Sequence, residues 1–198
     1  MATYKEIHGT NIEIIATDPT YPVEGQVWYN TTSNVLKGQA VTSAGAWATG
    51  GALNTGRDQA AGSGTQTSTL VFGGGPPNKD ETESYNGSNW TEMNDLNTAR
   101  RGIAGAGADN TSALAFGGGT PDKSETESWN GTNWTEVNNL NTARYFLGGT
   151  GIITAALAFG GTPTTGATES WNGTNWTTVN PLNTSRDAPG SAGIQLQH

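Results

Sequence analysis

The stretch that decides the fold runs from Ala113 to Arg144 and reads ALAFGGGTPDKSETESWNGTNWTEVNNLNTAR. The chain contains it almost whole three times. Its second tryptophan recurs 44 and 42 residues apart, as Trp90, Trp134 and Trp176. Its last arginine recurs at intervals of 43, 44 and 42 residues, as Arg57, Arg100, Arg144 and Arg186. A fixed period of about 40–50 residues indicates propeller blades or another repeat array.

The alternation inside each unit predicts strands. Leu114 and Phe116 alternate with Ala113 and Ala115, and Leu70/Phe72 and Leu157/Phe159 have the same period of two. Because strand side chains point alternately to opposite faces, the large residues share one face and the alanines the other. In the middle copy we predict strands over Gly102–Ala108, Ser112–Gly117, Glu125–Trp129 and Trp134–Val137.

Asparagine–glycine pairs separate the third and fourth predicted strands. They occur at Asn86-Gly87, Asn130-Gly131 and Asn172-Gly173. Asn-Gly readily supplies the positive φ angles that a tight hairpin turn needs. Four antiparallel strands per unit are typical of a β-propeller blade, so the fold class is predicted to be all-β.

A glycine run after the second strand, then an aromatic residue, then a tryptophan resembles the kelch motif. In the middle copy these are Phe116-Gly117-Gly118-Gly119, Trp129 and Trp134. The resemblance covers residues 54–186, although the glycine-to-aromatic spacing is longer than in kelch repeats and the units are shorter. The whole sequence resembles kelch-like proteins of tailed bacteriophages, particularly marine ones. The segment from Pro22 to Thr32, PVEGQVWYNTT, resembles the amino-terminal part of phage tail and virion-surface proteins.

The ends of the chain carry two complementary half-units. Residues 1–24 are expected to form an extension, and residues 25–198 the propeller, with full repeats at about 54–96, 97–140 and 141–182. Strands are expected within 11–16 and 26–30, and a hairpin within 31–46. Residues 25–53 supply the later strands of a degenerate blade, and 183–198 supply its first strand. Since an open array leaves an unpaired edge at each end, we predict a four-bladed ring closed by this composite blade. A larger ring shared between chains is the alternative.

Composition restricts the partners. With 17 acidic and 9 basic residues the net charge is −8, which disfavours nucleic-acid binding. No apolar run approaches the ~18 residues of a membrane helix, and no signal-peptide pattern opens the chain. The absence of cysteine excludes disulfides and thiolate metal sites. Abundant Thr, Asn, Ser and Gly suit a hydroxyl-rich virion or extracellular surface.

Arginine and glutamate recur together. The glutamates are Glu83, Glu127 and Glu169. Because the arginine fork can bind one carboxylate twice, we expect ion pairs between blades. Val27 takes the glutamate position in the amino-terminal half-unit, so the composite blade is expected to lack this pair. An arginine-lined channel that binds an anion is the alternative.

The recurring tryptophans have two interpretations. Trp90, Trp134 and Trp176, with Trp129 and Trp171, can stack on sugar rings or pack between blades. Their recurrence at equivalent positions favours packing. A site for one ligand is expected where the repeat is broken: at Arg101, Tyr145 and Phe146, and in the loops 76–80, 120–123 and 162–166.

Catalysis has little support in the sequence. No nucleophile–base set, EF-hand, P-loop or HExxH motif occurs, so no catalytic, cofactor or metal residue is expected. His8 and His198 lie near the termini. The acidic pairs Asp80/Glu81 and Asp122/Glu125 are interpreted as solvated loop charges rather than an acid–base pair or a Ca²⁺ site.

Three functions follow as expectations. The first is a non-enzymatic virion component that contacts other virion proteins or the host surface. The second is a free-standing, lectin-like glycan-binding propeller. The third is a propeller hydrolase, which requires a carboxylate pair facing a channel. Homo-oligomerisation is compatible with each.

Overall fold

The structure, a computed structural model, describes residues 12–20, 26–38, 49–191 and 193. The chain divides into two compact units, Met1–Thr49 and Gly50–His198. All regular elements in the described residues are strands, as predicted. Within these ranges there is no helix of the length and apolarity that a membrane crossing requires.

The first unit contains a three-stranded sheet of β1 (Glu13–Ile15), β2 (Val27–Asn30) and β3 (Val35–Gly38). Strand β1 is parallel to β2, whereas β2 and β3 are antiparallel. The strands expected within 11–16 and 26–30 are confirmed. The hairpin expected within 31–46 falls partly on residues 39–46, which lie outside the described residues.

Asp18 organises the polar face of this small sheet. Its Oδ1 accepts hydrogen bonds from Trp28 Nε1 at 2.9 Å and Asn30 Nδ2 at 2.7 Å. Its Oδ2 lies 2.6 Å from Lys37 Nζ. The hydrogen bond from Lys37, followed by those from Trp28 and Asn30, lowers the pKa of Asp18 to about 2.

The second unit contains three four-stranded antiparallel sheets, which we call blades 1, 2 and 3. Blade 1 comprises β4 (Ala61–Thr65), β5 (Ser68–Phe72), β6 (Thr82–Tyr85) and β7 (Trp90–Glu92). Blade 2 comprises β8 (Ala104–Asp109), β9 (Ser112–Phe116), β10 (Thr126–Trp129) and β11 (Trp134–Val137). Blade 3 comprises β12 (Gly148–Ile152), β13 (Ala155–Phe159), β14 (Thr168–Trp171) and β15 (Trp176–Val179). The predicted strands of the middle unit are confirmed to within two residues.

The alternation of large and small residues produces the stacking of the blades. Leu114 and Phe116 of blade 2 belong to one hydrophobic cluster with Ala156 and Ala158 of blade 3. Blades 1 and 2 meet in the same way, through Leu70 and Phe72 on one side and Ala113 and Ala115 on the other. The alanine faces of blades 2 and 3 therefore receive the large side chains of the blade before them, and this brings neighbouring sheets close together.

The segments that lead into successive blades each contain a residue with a left-handed backbone conformation, and main-chain hydrogen bonds join these residues. Gln59, Gly102, Phe146 and Ala188 have φ angles of 53°, 58°, 51° and 44°. Gly102 N donates to Gln59 O at 2.9 Å, Phe146 N to Gly102 O at 2.7 Å, and Ala188 N to Phe146 O at 2.8 Å. Since Ala188 follows blade 3, the chain enters a fourth position by the path used at the first three.

The composite blade stays a prediction. Strand β2 pairs with β1 on one side and with β3 on the other, in a sheet of their own. Most of the carboxyl-terminal strand expected in 190–197 lies outside the described residues. The propeller-like fold rests on the three complete blades.

Candidate functional site

An arginine with a buried side chain precedes each blade, and Arg100 and Arg144 lie between two blades. Arg100 follows blade 1, and its main chain is bonded there: its N donates to Lys79 O, and its O accepts from Gly74 N, both at 2.9 Å. Its side chain points the other way, into blade 2. There Nη1 donates to Gly117 O at 3.1 Å and to Glu125 O at 2.6 Å. One residue therefore binds both blades.

The guanidinium of Arg100 ends on a buried carboxylate. Its Nη2 lies 2.8 Å from Glu127 Oε1, and both side chains are fully buried. The second oxygen, Oε2, accepts from Asn97 N at 2.7 Å and Asn97 Nδ2 at 3.0 Å. Both oxygens of Glu127 and both Nη atoms of Arg100 are thus hydrogen-bonded, which helps a buried pair to offset desolvation, whereas Arg100 Nε is buried without a partner among the described residues.

The arrangement recurs at the other two blades. Arg144 Nη2 lies 3.1 Å from Glu169 Oε1, and Arg57 forms the corresponding pair with Glu83. Burial lowers the pKa values of Arg100 and Arg144 below the ordinary value of arginine, and the nearby glutamates oppose that effect. Both side chains remain positively charged, because arginine is not deprotonated in proteins.

The sequence interpretation expected ion pairs between blades, and Arg100 and Arg144 do connect two blades, each through the two ends of one residue. The guanidinium and the carboxylate of each pair meet inside one blade. The main chain of the arginine, bonded to the blade before it, makes the connection between blades for Arg100 and Arg144. Sequence spacing does not show which way a side chain points, so it could not tell which blade each end of the arginine contacts.

The tryptophans lie at the same interfaces. Trp134 Nε1 of blade 2 donates to Thr82 Oγ1 of blade 1 at 3.0 Å, and Trp176 Nε1 of blade 3 donates to Thr126 Oγ1 of blade 2 at 3.0 Å. Trp129 and Trp171 are buried and donate to the main-chain oxygens of Asn110 and Ile153. Trp90 is partly exposed and donates to Gly51 O at 3.0 Å. The threonine partners were not singled out by the sequence, although Thr82, Thr126 and Thr168 recur with the repeat.

The loops that break the repeat are hydrogen-bonded to the segment that leads into the next blade. Lys79 N donates to Gly74 O, and Lys79 O accepts from Arg100 N. Loop 120–123 does the same through Lys123, whose O accepts from Arg144 N at 3.1 Å. The neighbouring glutamates pair with lysines: Glu81 with Lys79 at 3.1 Å, and Glu125 with Lys123 at 3.4 Å. These contacts give the loops a role in joining neighbouring blades.

Arg186 is the member of the series that differs. Its N donates to Thr165 O at 3.3 Å and its O accepts from Gly161 N at 3.0 Å, so its main chain is bonded to blade 3 as Arg144 is bonded to blade 2. Its side chain, however, is exposed. Among the described residues, no carboxylate forms an ion pair with Arg186. Within the part of the chain that the structure describes, no glutamate takes the place that Glu127 and Glu169 have beside Arg100 and Arg144.

The described residues contain no group of three or more His, Cys, Asp or Glu side chains that could hold a metal ion. Comparison of the sequence with protein-family models finds no match. No curated protein matches it at a significant level. The fold and the site therefore rest on the geometry above.

Proposed function

We propose that this chain is a non-enzymatic interaction protein of a phage virion, a kelch-like propeller on the tail or particle surface that mediates assembly or host attachment. The observation that supports the proposal is the repeat of three stacked blades whose last member, blade 3, has no further complete blade after it among the described residues. In this blade Phe159 is partly exposed, and the side chain of Arg186, which follows it, is exposed. Exposed apolar surface at the end of a repeat array supports an interaction role.

The kelch and phage parts of this proposal rest on the sequence resemblance. They imply other virion proteins or a host-surface glycan as partners, and a virion or extracellular location. The Arg–Glu pairs and the four buried tryptophans are used within and between blades, which favours a scaffold role for the repeat itself.

The test is association with particles. Particles from a culture producing this protein are purified on a density gradient, and peptides of the chain are quantified by mass spectrometry in each fraction. We expect the chain to sediment with infectious particles at a constant ratio to the major capsid protein. A chain found only in the soluble fractions contradicts the proposal. A broad glycan array applied to that soluble protein then tests the lectin-like alternative.

A further inference from the structure

Three residues that break the repeat meet at one place in the second unit. The recurring arginine is followed by a different pair each time, namely Asp58-Gln59, Arg101-Gly102, Tyr145-Phe146 and Asp187-Ala188. The aromatic pair occurs in the segment that leads into blade 3, and the arginine with glycine in the segment that leads into blade 2. These two segments are joined, since Phe146 N donates to Gly102 O at 2.7 Å.

The rings of Tyr145 and Phe146 cover the main chain on both sides of Arg101. A Cβ on Gly102, the next residue along the chain, would lie 2.8 Å from Phe146 Cδ1. A Cβ on Gly119, which pairs with Arg101 in an antiparallel bridge, would lie 2.9 Å from Tyr145 Cγ. The two rings also contact each other, with centroids 4.8 Å apart. The two glycines therefore allow the aromatic pair to lie directly against the main chain beside Arg101.

The bridge also gives the direction of the Arg101 side chain. Arg101 N donates to Gly119 O at 3.2 Å, and Gly119 N donates to Arg101 O at 2.9 Å. Residues that face each other in this way project to the same side of an antiparallel pair. Since the Tyr145 ring lies where a Gly119 side chain would start, the side chain of Arg101 projects beside that ring.

The guanidinium of Arg101 has no partner among the described residues. No carboxylate in these ranges forms an ion pair with it, and no acceptor there takes a hydrogen bond from it. Arg101, Tyr145 and Phe146 are each partly exposed, and all three belong to the second unit. The cluster therefore combines a cation that lacks a described partner with an accessible aromatic surface.

We propose that Arg101, Tyr145 and Phe146 form a binding site for a sugar ring that carries a carboxylate, as in a uronic or sialic acid. The fork of Arg101 can bind the carboxylate through two hydrogen bonds. The Tyr145 ring provides an apolar face for the C–H groups of the sugar, and its hydroxyl provides a polar end for the sugar hydroxyls. The proposal rests on the proposed function, because it names a ligand class for attachment to the host surface.

A carboxylated sugar suits this cluster better than an acidic peptide. Of the cations in the segments that meet here, Arg100 and Lys123 are already paired, with Glu127 and Glu125. Arg101 therefore offers a single positive charge, in a protein whose net charge is −8. A run of acidic residues would be repelled at long range, whereas a glycan can place one carboxylate on a chain of neutral, hydroxyl-rich rings.

The test is a nuclear magnetic resonance titration of the full-length, isotope-labelled protein. The probes are trigalacturonic acid and sialyllactose, each with its methyl ester, which keeps the sugar ring and removes the charge. We expect at least one acid to shift the amide resonances of Arg101, Gly119 and Tyr145 saturably. Its Kd is expected to be about tenfold or more below that of its ester, because the ester cannot form the charged hydrogen bonds.

Two variants separate the roles of the residues. Arg101→Gln is expected to bind acid and ester alike, because the charged fork is gone. Tyr145→Leu keeps an apolar side chain on Gly119 but has no aromatic face, so it weakens acid and ester by a similar factor and keeps the preference. Arg186→Gln is the matched control, since it removes an exposed arginine that no aromatic pair follows, and it binds like the parent protein. The spectrum of each variant shows that it is folded.

Four results would overturn the proposal. The first two are the absence of a saturable shift with either acid, and equal affinity for an acid and its ester. The third is an unchanged preference in Arg101→Gln. The fourth is equal binding of a triglutamate peptide, which would mean that the ligand is an acidic peptide. All four are measured on purified protein, so failure of this site is distinguishable from failure of the proposed function, which particle association tests.

Discussion

Arg100 and Glu127 form an ion pair of 2.8 Å in which both side chains have no solvent exposure, while the main chain of Arg100 stays bonded to the preceding blade. A single residue thus carries a charge into one sheet and two hydrogen bonds into another. Loss of either the ion pair or the main-chain hydrogen bonds of Arg100 therefore affects both sheets. The stability of the repeat is therefore expected to depend on these positions.

Replacement of Arg100 by Met tests that dependence. We expect a loss of about 3–5 kcal/mol in the free energy of unfolding, because Glu127 is left as an unpaired buried charge. Urea unfolding followed by tryptophan fluorescence measures it. Arg186→Met is the matched comparison, and its exposed side chain predicts a change within about 0.5 kcal/mol. Equal losses at the two positions would contradict the assignment of Arg186 as unpaired.

The double variant Arg100→Met/Glu127→Gln sharpens this test. Glu127→Gln removes the buried charge that Arg100→Met leaves unpaired. The double variant is therefore expected to be more stable than the sum of the two single losses predicts. Strict additivity would mean that the two side chains do not interact.

Trp176→Phe tests the hydrogen bond between blades 2 and 3. Phenylalanine keeps an aromatic ring against Phe116 but removes the N–H that bonds to Thr126 Oγ1. We expect a loss of about 1–3 kcal/mol, since a buried hydroxyl loses its donor. Thr126→Val removes the same bond from the other side, so the two changes together cost less than their sum. Trp90→Phe is the control, and because its acceptor Gly51 O is exposed, the loss there is smaller.

Gly149→Ala tests how closely the first strands pack. A Cβ at Gly149 lies 2.7 Å from Phe116 Cζ and 2.8 Å from Gly105 O. Because the second contact is with main chain, the strands must move apart, and we expect a loss of about 1–3 kcal/mol. Gly56→Ala is the control: its Cβ meets nothing within 4 Å, so this variant is neutral or slightly more stable. The thermal unfolding midpoints of the two variants, measured in parallel, test this, and equal midpoints would contradict the close packing at Gly149.

Acid titration tests the sheet of the first unit. The folded-state pKa of Asp18 is about 2, below its ordinary value of 3.8. The stabilisation from its ionised form is therefore present above about pH 4 and is lost as the pH falls through about 2. The Trp28 indole N–H resonance, bonded to Asp18, reports this in an NMR titration. We expect a midpoint near pH 2, and Asp18→Asn removes the transition. A midpoint near 3.8 means that the hydrogen bonds do not hold the ionised form.

Sequence reasoning found the strands because their periodicity is local. The alternation of Leu114 and Phe116 with alanines decides which face each side chain shares, and a period near 43 residues decides that the unit repeats. The Asn-Gly pairs place the hairpins for the same reason. None of this needs knowledge of distant contacts.

The candidate site was predicted only in part. The recurrence of Arg100 and Glu127 identified an ion pair, but not that both groups lie in one blade. Thr82 and Thr126 were missed, because a threonine in a strand gives no signal of its own until the tryptophan of the next blade is placed beside it.

The sequence by itself determined an all-β chain of repeated four-stranded blades, since strand periodicity, turn residues and repeat length are properties of neighbouring residues. Only the tertiary structure decided that Arg100 and Arg144 reach from one blade into the next, and that the side chain of Arg186 is exposed. The physical reason is that side-chain direction and the identity of a partner across an interface depend on how the sheets stack. That stacking joins residues about 40 positions apart in the chain.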